Sequence, residues 1–346
     1  MKKLRAAILG FGGMGHCHAG CYKGLRNVEL VAVCDIDPDQ LKSASTQINL
    51  GDVGGGDVSK LRTYLSYEEL LRAEKGTVDI IDCCLPAYLH ARYVCRAMKD
   101  GFAVLSEKPM ALSSKDCATI LATQKATKKP YMVAQCIRFN AEYAALLELA
   151  RKKTYGRLLR LEMFRTSAYP NWDAKHGWYL DSKKSGGAVL DLHLHDLDWV
   201  QASFGLPESL SCHGVKGRSG GFDDVQSVFR YGKTGPIVTM RGSWMSGRGF
   251  QAGFSALFEK AVLSTEDGKL VLSDLFGKEM PFRYKIPKVR NMYAAEIEYF
   301  AGCIRKGVAP EKCMPESTAF SVALVEAERR SAAAGGRPIA RKEILG

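Results

Sequence analysis

The stretch "SGGAVLDLHLHDLDWV", residues 185 to 200, carries two histidines and three aspartates between Asp191 and Asp198. Such a set can hold a metal ion or move a proton, and the backbone decides which. Apolar residues at 189, 190, 192, 194, 197, 199 and 200 suit one mostly buried helix over 187–202 better than a half-exposed strand. On a helix, Asp191 and His195 share a face, with Asp198 three positions further along it. His193 falls about 200° round the axis from Asp191, so the two histidines diverge. On a strand they would share a face and a metal would be plausible. The helical reading predicts a proton site of Asp191 and His195 and no metal. His193 becomes a packing or substrate-rim group, and Asp198 bonds locally.

A second reactive candidate is Lys108 in "SEKPMALS", where a lysine ends an apolar run and a proline stiffens the turn after it. Near a cationic ring its amine would lose its proton more readily, and it could polarise a substrate oxygen. A third is the loop "GFGGMG", in which Gly10, Gly12 and Gly15 fit the G-x-G-x-x-G pattern, with Phe11, Gly13 and Met14 between them. The first glycine permits a tight turn, the second lets the backbone approach a pyrophosphate, and the third lets helix and strand pack closely. The loop follows an apolar strand, precedes a helix, and is answered by "VELVAVCD", whose Asp35 lies 20 residues past Gly15. A carboxylate there accepts hydrogen bonds from the adenosine ribose and repels a 2′-phosphate, and Ile36 supplies no cation to welcome one. NAD is therefore favoured over NADP.

These residues need elements to hold them. "TVDIIDCCLP", "FAVLSEKP" and "YMVAQ" read as buried parallel strands alternating with helices, which implies a doubly wound sheet with ligands beyond the strands' carboxyl ends. Leu85, Pro86, Glu107 and Gln135 fall at such ends. "GDVGGGD", residues 51 to 57, reads as a flexible loop. From about residue 155 the texture turns to strands and glycine turns. The expected division is a Rossmann domain over 1–124 and an α/β substrate and oligomerisation domain over 125–346, whose C-terminal helices can pack back toward the first.

With 346 residues the chain can fill two cores. Its net charge of +12 comes from scattered Lys and Arg with no basic stripe interleaved with aromatics, which suits an anionic small molecule rather than nucleic acid. No apolar run reaches the ~18 residues of a membrane helix. The eleven cysteines lie mostly in apolar segments without a CxxC pair. "GHCHAGC", residues 15 to 21, looks metal-like but is explained by the glycine loop it follows. A cytoplasmic location is expected.

In this order along the chain, "GFGGMG", Asp35, "LPAYLH", the Glu-Lys-Pro of "SEKPM", "AQCIRF" and "SGGAVLDLHLHDLDWV" resemble the glucose–fructose oxidoreductase/inositol dehydrogenase (Gfo/Idh/MocA) family. "VALVEAERRSAAAGGRPI" resembles its closing helix. The resemblance implies a large, open, mostly antiparallel sheet in the second domain, commonly a surface for homodimers or homotetramers. It implies Lys108 as the catalytic lysine, Asp191 and His195 as the acid/base pair, and His90 and Glu107 near the nicotinamide ribose. Arg138 resembles a substrate-side arginine, in a segment shorter and less typical than in inositol dehydrogenases.

"YPNWDAKHGWYLDSKKSGG" leads into the reactive segment, and its His176 and Trp178, with Trp172 and Tyr179, are candidates to pack against a carbohydrate ring. The expected reaction is NAD-dependent oxidation of a secondary alcohol of a sugar, sugar derivative or cyclic polyol. The alternatives are glycoside cleavage using NAD transiently and an NAD-dependent sensor, the latter opposed by the intact Lys108, Asp191 and His195.

Overall fold

A computed structural model describes residues 2–43, 45–48, 51–54, 58–171, 177–282 and 291–345. The chain forms two compact units, one of Met1–Cys136 with Arg290–Val322, the other of Ile137–Val289 with Ala323–Gly346. The expected boundary at residue 124 moves to Cys136, because the strand that follows 124 belongs to the first sheet; a C-terminal helical segment is also part of the first unit.

The first unit begins β1 (Leu4–Leu9), α1 (Gly13–Tyr22), β2 (Val28–Cys34) and the short α2 (Pro38–Lys42). Next come β3 (Ser45–Ile48), β4 (Gly51–Gly54), β5 (Arg62–Tyr64) and α3 (Tyr67–Ala73). β6 (Ile80–Cys83), α4 (His90–Lys99), β7 (Ala103–Glu107), α5 (Ser114–Thr127) and β8 (Tyr131–Ala134) complete the run. Six strands lie in the order β5-β2-β1-β6-β7-β8, every neighbour parallel. β6, β7 and β8 are buried at every position, as strands covered on both faces must be. Strand order reverses beside β1 and β6, where such folds place their ligands. The stretch read as a flexible loop is in part ordered: β4 pairs antiparallel with β3 as a hairpin, and residues 55–57 lie outside the described residues. Low hydrophobicity and three glycines in a row hid a backbone-paired hairpin.

The second unit opens with α6 (Ala141–Lys152), capped by Asn140, whose side chain accepts from the amides of Glu142 and Tyr143. β9 (Leu158–Thr166), α7 (Ser182–Ser185), α8 (Gly187–Asp191) and α9 (Leu194–Phe204) follow. Then come β10 (Ser209–Lys216), β11 (Phe222–Arg230), β12 (Ile237–Ser243), β13 (Gln251–Phe258), β14 (Val262–Glu266) and β15 (Lys269–Ser273). α10 (Met292–Lys306) belongs to the first unit, and α11 (Pro315–Ala333), β16 (Ile339–Ala340) and α12 (Arg341–Leu345) end the chain. The eight-stranded sheet runs β15-β14-β13-β9-β12-β11-β10-β16. Only the β9–β12 pairing is parallel. β11 alternates buried with more exposed positions, the pattern of a sheet covered on one face. The predicted architecture, a Rossmann sheet plus a large mostly antiparallel one, is therefore observed.

The predicted continuous helix over 187–202 is corrected: Leu192 and His193 form a turn that separates α8 from α9. Among the described residues no helix is long and apolar enough to cross a membrane.

Candidate active site

The glycine loop is built as its spacing demands. Gly10 has φ +88°, and a Cβ there would lie 2.8 Å from the Cys84 carbonyl oxygen. A Cβ on Gly15 would lie 2.3 Å from the Gly10 carbonyl oxygen, so only glycine lets α1 sit this close to β1. At Gly12 an added Cβ meets nothing within 4 Å among the described residues, leaving a place where backbone can approach a phosphate. Gly12, Gly13 and Met14 are partly exposed, whereas Phe11 is buried with its ring 4.1 Å from that of His16. Phe11 serves the loop through its backbone: its N–H donates to Asp35 Oδ2 at 2.7 Å. Asp35 Oδ1 accepts from the Asp37 amide at 2.8 Å, so the carboxylate ties the loop after β2 to the glycine loop while staying partly exposed. Ile36 beside it is 83% exposed and apolar. No acidic residue stands in the first turn of α1, and no side chain caps it. An anion would meet bare amides there. These residues fit the pyrophosphate and ribose of a dinucleotide.

Lys108 is the one partly exposed residue in a run, 102–111, that is otherwise buried. Its loop is held from beneath. His90 is buried, with Nδ1 2.7 Å from the Pro109 carbonyl oxygen and Nε2 2.7 Å from that of Leu85. Burial lowers its pKa against the pull of those two carbonyls. Both ring nitrogens of His90 thus face backbone carbonyl oxygens. Its ring is spent on fixing the loops that carry Leu85, Pro86 and Lys108, and Leu85 and Pro86 remain partly exposed. Glu107 is likewise turned inward: Oε2 accepts from the Lys108 amide at 3.0 Å and Oε1 lies 3.0 Å from His18 Nε2. The latter is a close ion-pair approach without hydrogen-bond alignment. Gln135 is buried, and its amide nitrogen finds no hydrogen-bond partner among the described residues.

Behind Glu107 lies a polar pocket that the sequence reading missed. His18 Nδ1 is 2.9 Å from Asp82 Oδ2, which also accepts from the Tyr22 hydroxyl at 2.9 Å. Glu296 of α10 is buried, with neither carboxylate oxygen bonded among the described residues. Burial, then the neighbouring Glu107, pushes its pKa well above the usual carboxylate range. Burial opposes charge on His18, but Asp82 and Cys84 together raise the imidazole's pKa well above its ordinary value. One signal was legible: "DIIDCC" puts Asp82 inside a strand that must be covered on both faces, so it had to find a partner.

In the second unit the reactive segment resolves by burial. From Ser185 to Gln201 every residue is buried except Asp191 and His195, which are partly exposed. His193 is fully buried, with Nε2 3.1 Å from Glu328 Oε1, so it is the packing histidine and not a rim group. Burial opposes its charge, and Glu328 raises its pKa above the usual value. Asp196 is buried 2.7 Å from Arg165. Asp198 bonds across the fold. It receives Arg138 Nε and one terminal nitrogen, each at 2.7 Å, across 60 residues of sequence. Both side chains are nearly inaccessible, at 6% and 1%. One edge of the Arg138 guanidinium thus holds Asp198 and anchors α9. Trp178 is partly buried and stacks on Tyr179 with ring centroids 3.9 Å apart. His176 and Trp172 lie outside the described residues.

Comparison with known proteins agrees with this geometry. The GFO_IDH_MocA oxidoreductase family, described as having an NAD-binding Rossmann fold, matches residues 4–135, and the GFO/IDH/MocA C-terminal domain matches 143–264. Inositol 2-dehydrogenase of Rhizobium meliloti (strain 1021) is 25% identical over 322 residues, 89% of this chain and 91% of that one. A glycosyl hydrolase family 109 protein of Akkermansia muciniphila is 26% identical over 162 residues, covering 47% of this chain and 34% of its own. Among solved structures, aldose-aldose oxidoreductase of Caulobacter crescentus, complexed with glycerol, superposes with a TM-score of 0.81 at 21% identity. That match covers 98% of this chain and all of the other, and it shows the fold. With both of its domains matched in order, a dinucleotide cradle on the first and the Asp191/His195 segment on the second, the chain belongs to the Gfo/Idh/MocA family of NAD-binding oxidoreductases.

Proposed function

We propose that this protein is an NAD-dependent dehydrogenase acting on a secondary alcohol of a sugar, sugar derivative or cyclic polyol, with Lys108, Asp191 and His195 as its catalytic residues. One observation carries the reading: each of the three is partly exposed within a run whose other members are buried. Burial of a whole segment around one chemically capable side chain fixes that side chain while leaving it a path to solvent or substrate. The relative matched over nearly its whole length is an inositol 2-dehydrogenase, which supports the alcohol class.

When bound, the nicotinamide accepts the hydride. The chain's residues do the rest. Gly12, Gly13 and Met14 present backbone to the pyrophosphate, and Asp35 accepts from the adenosine ribose and disfavours a 2′-phosphate, so NAD is the cofactor preferred over NADP. Leu85, Pro86 and Gln135 border that ligand, and Glu107 and His90 shape its border from below. His195 takes the hydroxyl proton as the carbon loses hydride, since imidazole titrates near neutral pH. Asp191 orients the imidazole or the substrate, and Lys108 stabilises negative charge developing on the oxygen. Trp178 offers an aromatic face to a sugar ring.

A second reading has its own support. Glycosyl hydrolase family 109 proteins match about half of this chain and about a third of their own length, which supports a related use of NAD, taken up and returned within one cycle. The dehydrogenase is preferred because the inositol dehydrogenase match extends through the second domain as well. The deciding experiment is a sugar and polyol panel read for NADH at 340 nm with parallel detection of aglycone. A dehydrogenase accumulates NADH with substrate; release of aglycone without NADH would replace this reading with the second. In the same assay Lys108→Ala should lose activity by a factor on the order of 10³ with NAD affinity retained. Wild-type turnover there removes the lysine from the reaction. A homodimer or homotetramer formed through the eight-stranded sheet is also proposed, and light scattering coupled to size exclusion tests it.

A further inference from the structure

The pocket under Lys108 brings three carboxylates and one imidazole together in the first unit. His18 sits among Asp82 and Cys84 at the end of β6, Tyr22, Cys17 and Cys21 of its own helix α1, Glu107 of β7, and Glu296 and Tyr293 of α10. Both ring nitrogens face carboxylate oxygens, Nδ1 at 2.9 Å from Asp82 and Nε2 at 3.0 Å from Glu107. A neutral imidazole has a proton for only one of them, and a lone pair 3 Å from a buried carboxylate is repelled. The arrangement is satisfied when the ring carries both protons. Glu107 in turn spends its other oxygen on the Lys108 amide, 3.0 Å away.

We propose that His18 is a positioning residue for Lys108: an imidazolium clasped by Asp82, it holds the Glu107 carboxylate, and Glu107 fixes the lysine's main chain. The proposal rests on Lys108 being catalytic. It adds that the lysine's placement depends on a charged histidine that touches neither cofactor nor substrate. His90 grips the next carbonyl, that of Pro109, so the lysine's peptide is held on both sides by buried side chains. Glu296 in its protonated form keeps further negative charge out of the pocket, since the His18 imidazolium offsets only one of the Asp82 and Glu107 carboxylates.

The test has two independent arms. The first is the ring itself: nitrogen-15 histidine spectra of the full chain at pH 8 should include a doubly protonated imidazole signal that is lost specifically in His18→Gln. A His18 resonance with a single proton overturns the clasp. The second is kinetic. His18→Gln should lower kcat by a factor on the order of 10–10², the scale of small misplacement of a reacting group, with KM and NAD affinity changed less than about twofold. Asp82→Asn, near-isosteric and the safer variant for folding, should lower kcat in the same direction and add an alkaline limb to the kcat–pH profile, as the unclasped ring loses its second proton. The double variant should be no worse than His18→Gln alone. A merely structural role would lower the folded fraction without a new ionisation. Wild-type kcat in a folded His18→Gln, or one equivalent of divalent metal retained by the wild type and lost in that variant, overturns the proposal. Wild-type turnover in Lys108→Ala removes the reading of the lysine, and a singly protonated His18 removes the clasp alone.

Discussion

Each unit buries a histidine against a carboxylate distant in sequence, and the two arrangements end differently. In the first, Asp82, His18 and Glu107 form a chain that runs outward to the amide of a partly exposed lysine. In the second, Arg138 with Asp198, Arg165 with Asp196 and His193 with Glu328 are buried pairs under one segment, on which Asp191 and His195 keep partial exposure. The lesson is about what buried charge does. A buried pair costs desolvation whether or not it touches substrate. In the second unit the three pairs hold α9 and the turn before it at several points. In the first, the charge is carried by relay to one loop. One unit holds a segment, the other holds a residue.

The sharpest way to break this contrast is to exchange the roles of neighbouring histidines. His195→Asn should lower kcat by about 10²–10⁴-fold with the melting temperature unchanged, as expected for loss of a proton-transfer group. His193→Asn should do the reverse, costing about 1–3 kcal/mol by leaving Glu328 unpaired, with kcat/KM retained in the folded protein. Steady-state kinetics and denaturant titration of both variants check this. A kinetic defect confined to His193→Asn would invert the assignment.

Next in size is the anchor of α9. Removing one partner of the Arg138–Asp198 pair leaves the other's buried charge without its bidentate counter-ion, so Asp198→Ala should destabilise the fold by about 3–5 kcal/mol. Arg138→Met with Asp198→Leu should recover much of that, because two apolar groups leave no charge behind. Urea unfolding measures both. If Arg138 instead raises KM when changed alone and leaves stability untouched, its role is substrate-side.

The smallest effect tests the first unit's proton. Glu296 holds its proton in the folded state above the pH at which an unfolded glutamate loses it, and His18 likewise. The folded state therefore binds more protons, so stability falls as pH rises, from about 4.5 for the glutamate and about 6.5 for the histidine, up to each folded pKa. Glu296→Gln removes the first contribution. Its melting temperature should be the higher one at pH 8, with the gap narrowing toward pH 5. Parallel melting curves across that range would place an ionised carboxylate in the pocket.

Much of the fold and part of the site could be read directly. Gly10, Gly12 and Gly15 act through local backbone geometry, and Asp35 through its place at a strand end, so spacing alone located them. Lys108, Asp191 and His195 came from strand-end and helix-face spacing together with the family resemblance, and burial later gave them a physical distinction. What spacing could not supply were the buried partners: His90 faces two loop carbonyls, Glu107 approaches His18, and Arg138 pairs with Asp198, which spacing had assigned a local bond. Helical periodicity likewise carried α8 and α9 as one, because Leu192 and His193 keep the apolar pattern through the turn.

What the amino-acid order determined was everything governed by near neighbours: the parallel strands, the glycine turn, the acid closing β2, and the absence of a membrane-length apolar run. What tertiary structure alone decided was which ionisable groups face one another. Asp82 meets His18, Glu328 meets His193 and Asp198 meets Arg138 across 60 or more residues. A charge denied water must take its partner from whatever the packing of sheets and helices brings within about 3 Å, and that proximity is encoded in no local pattern.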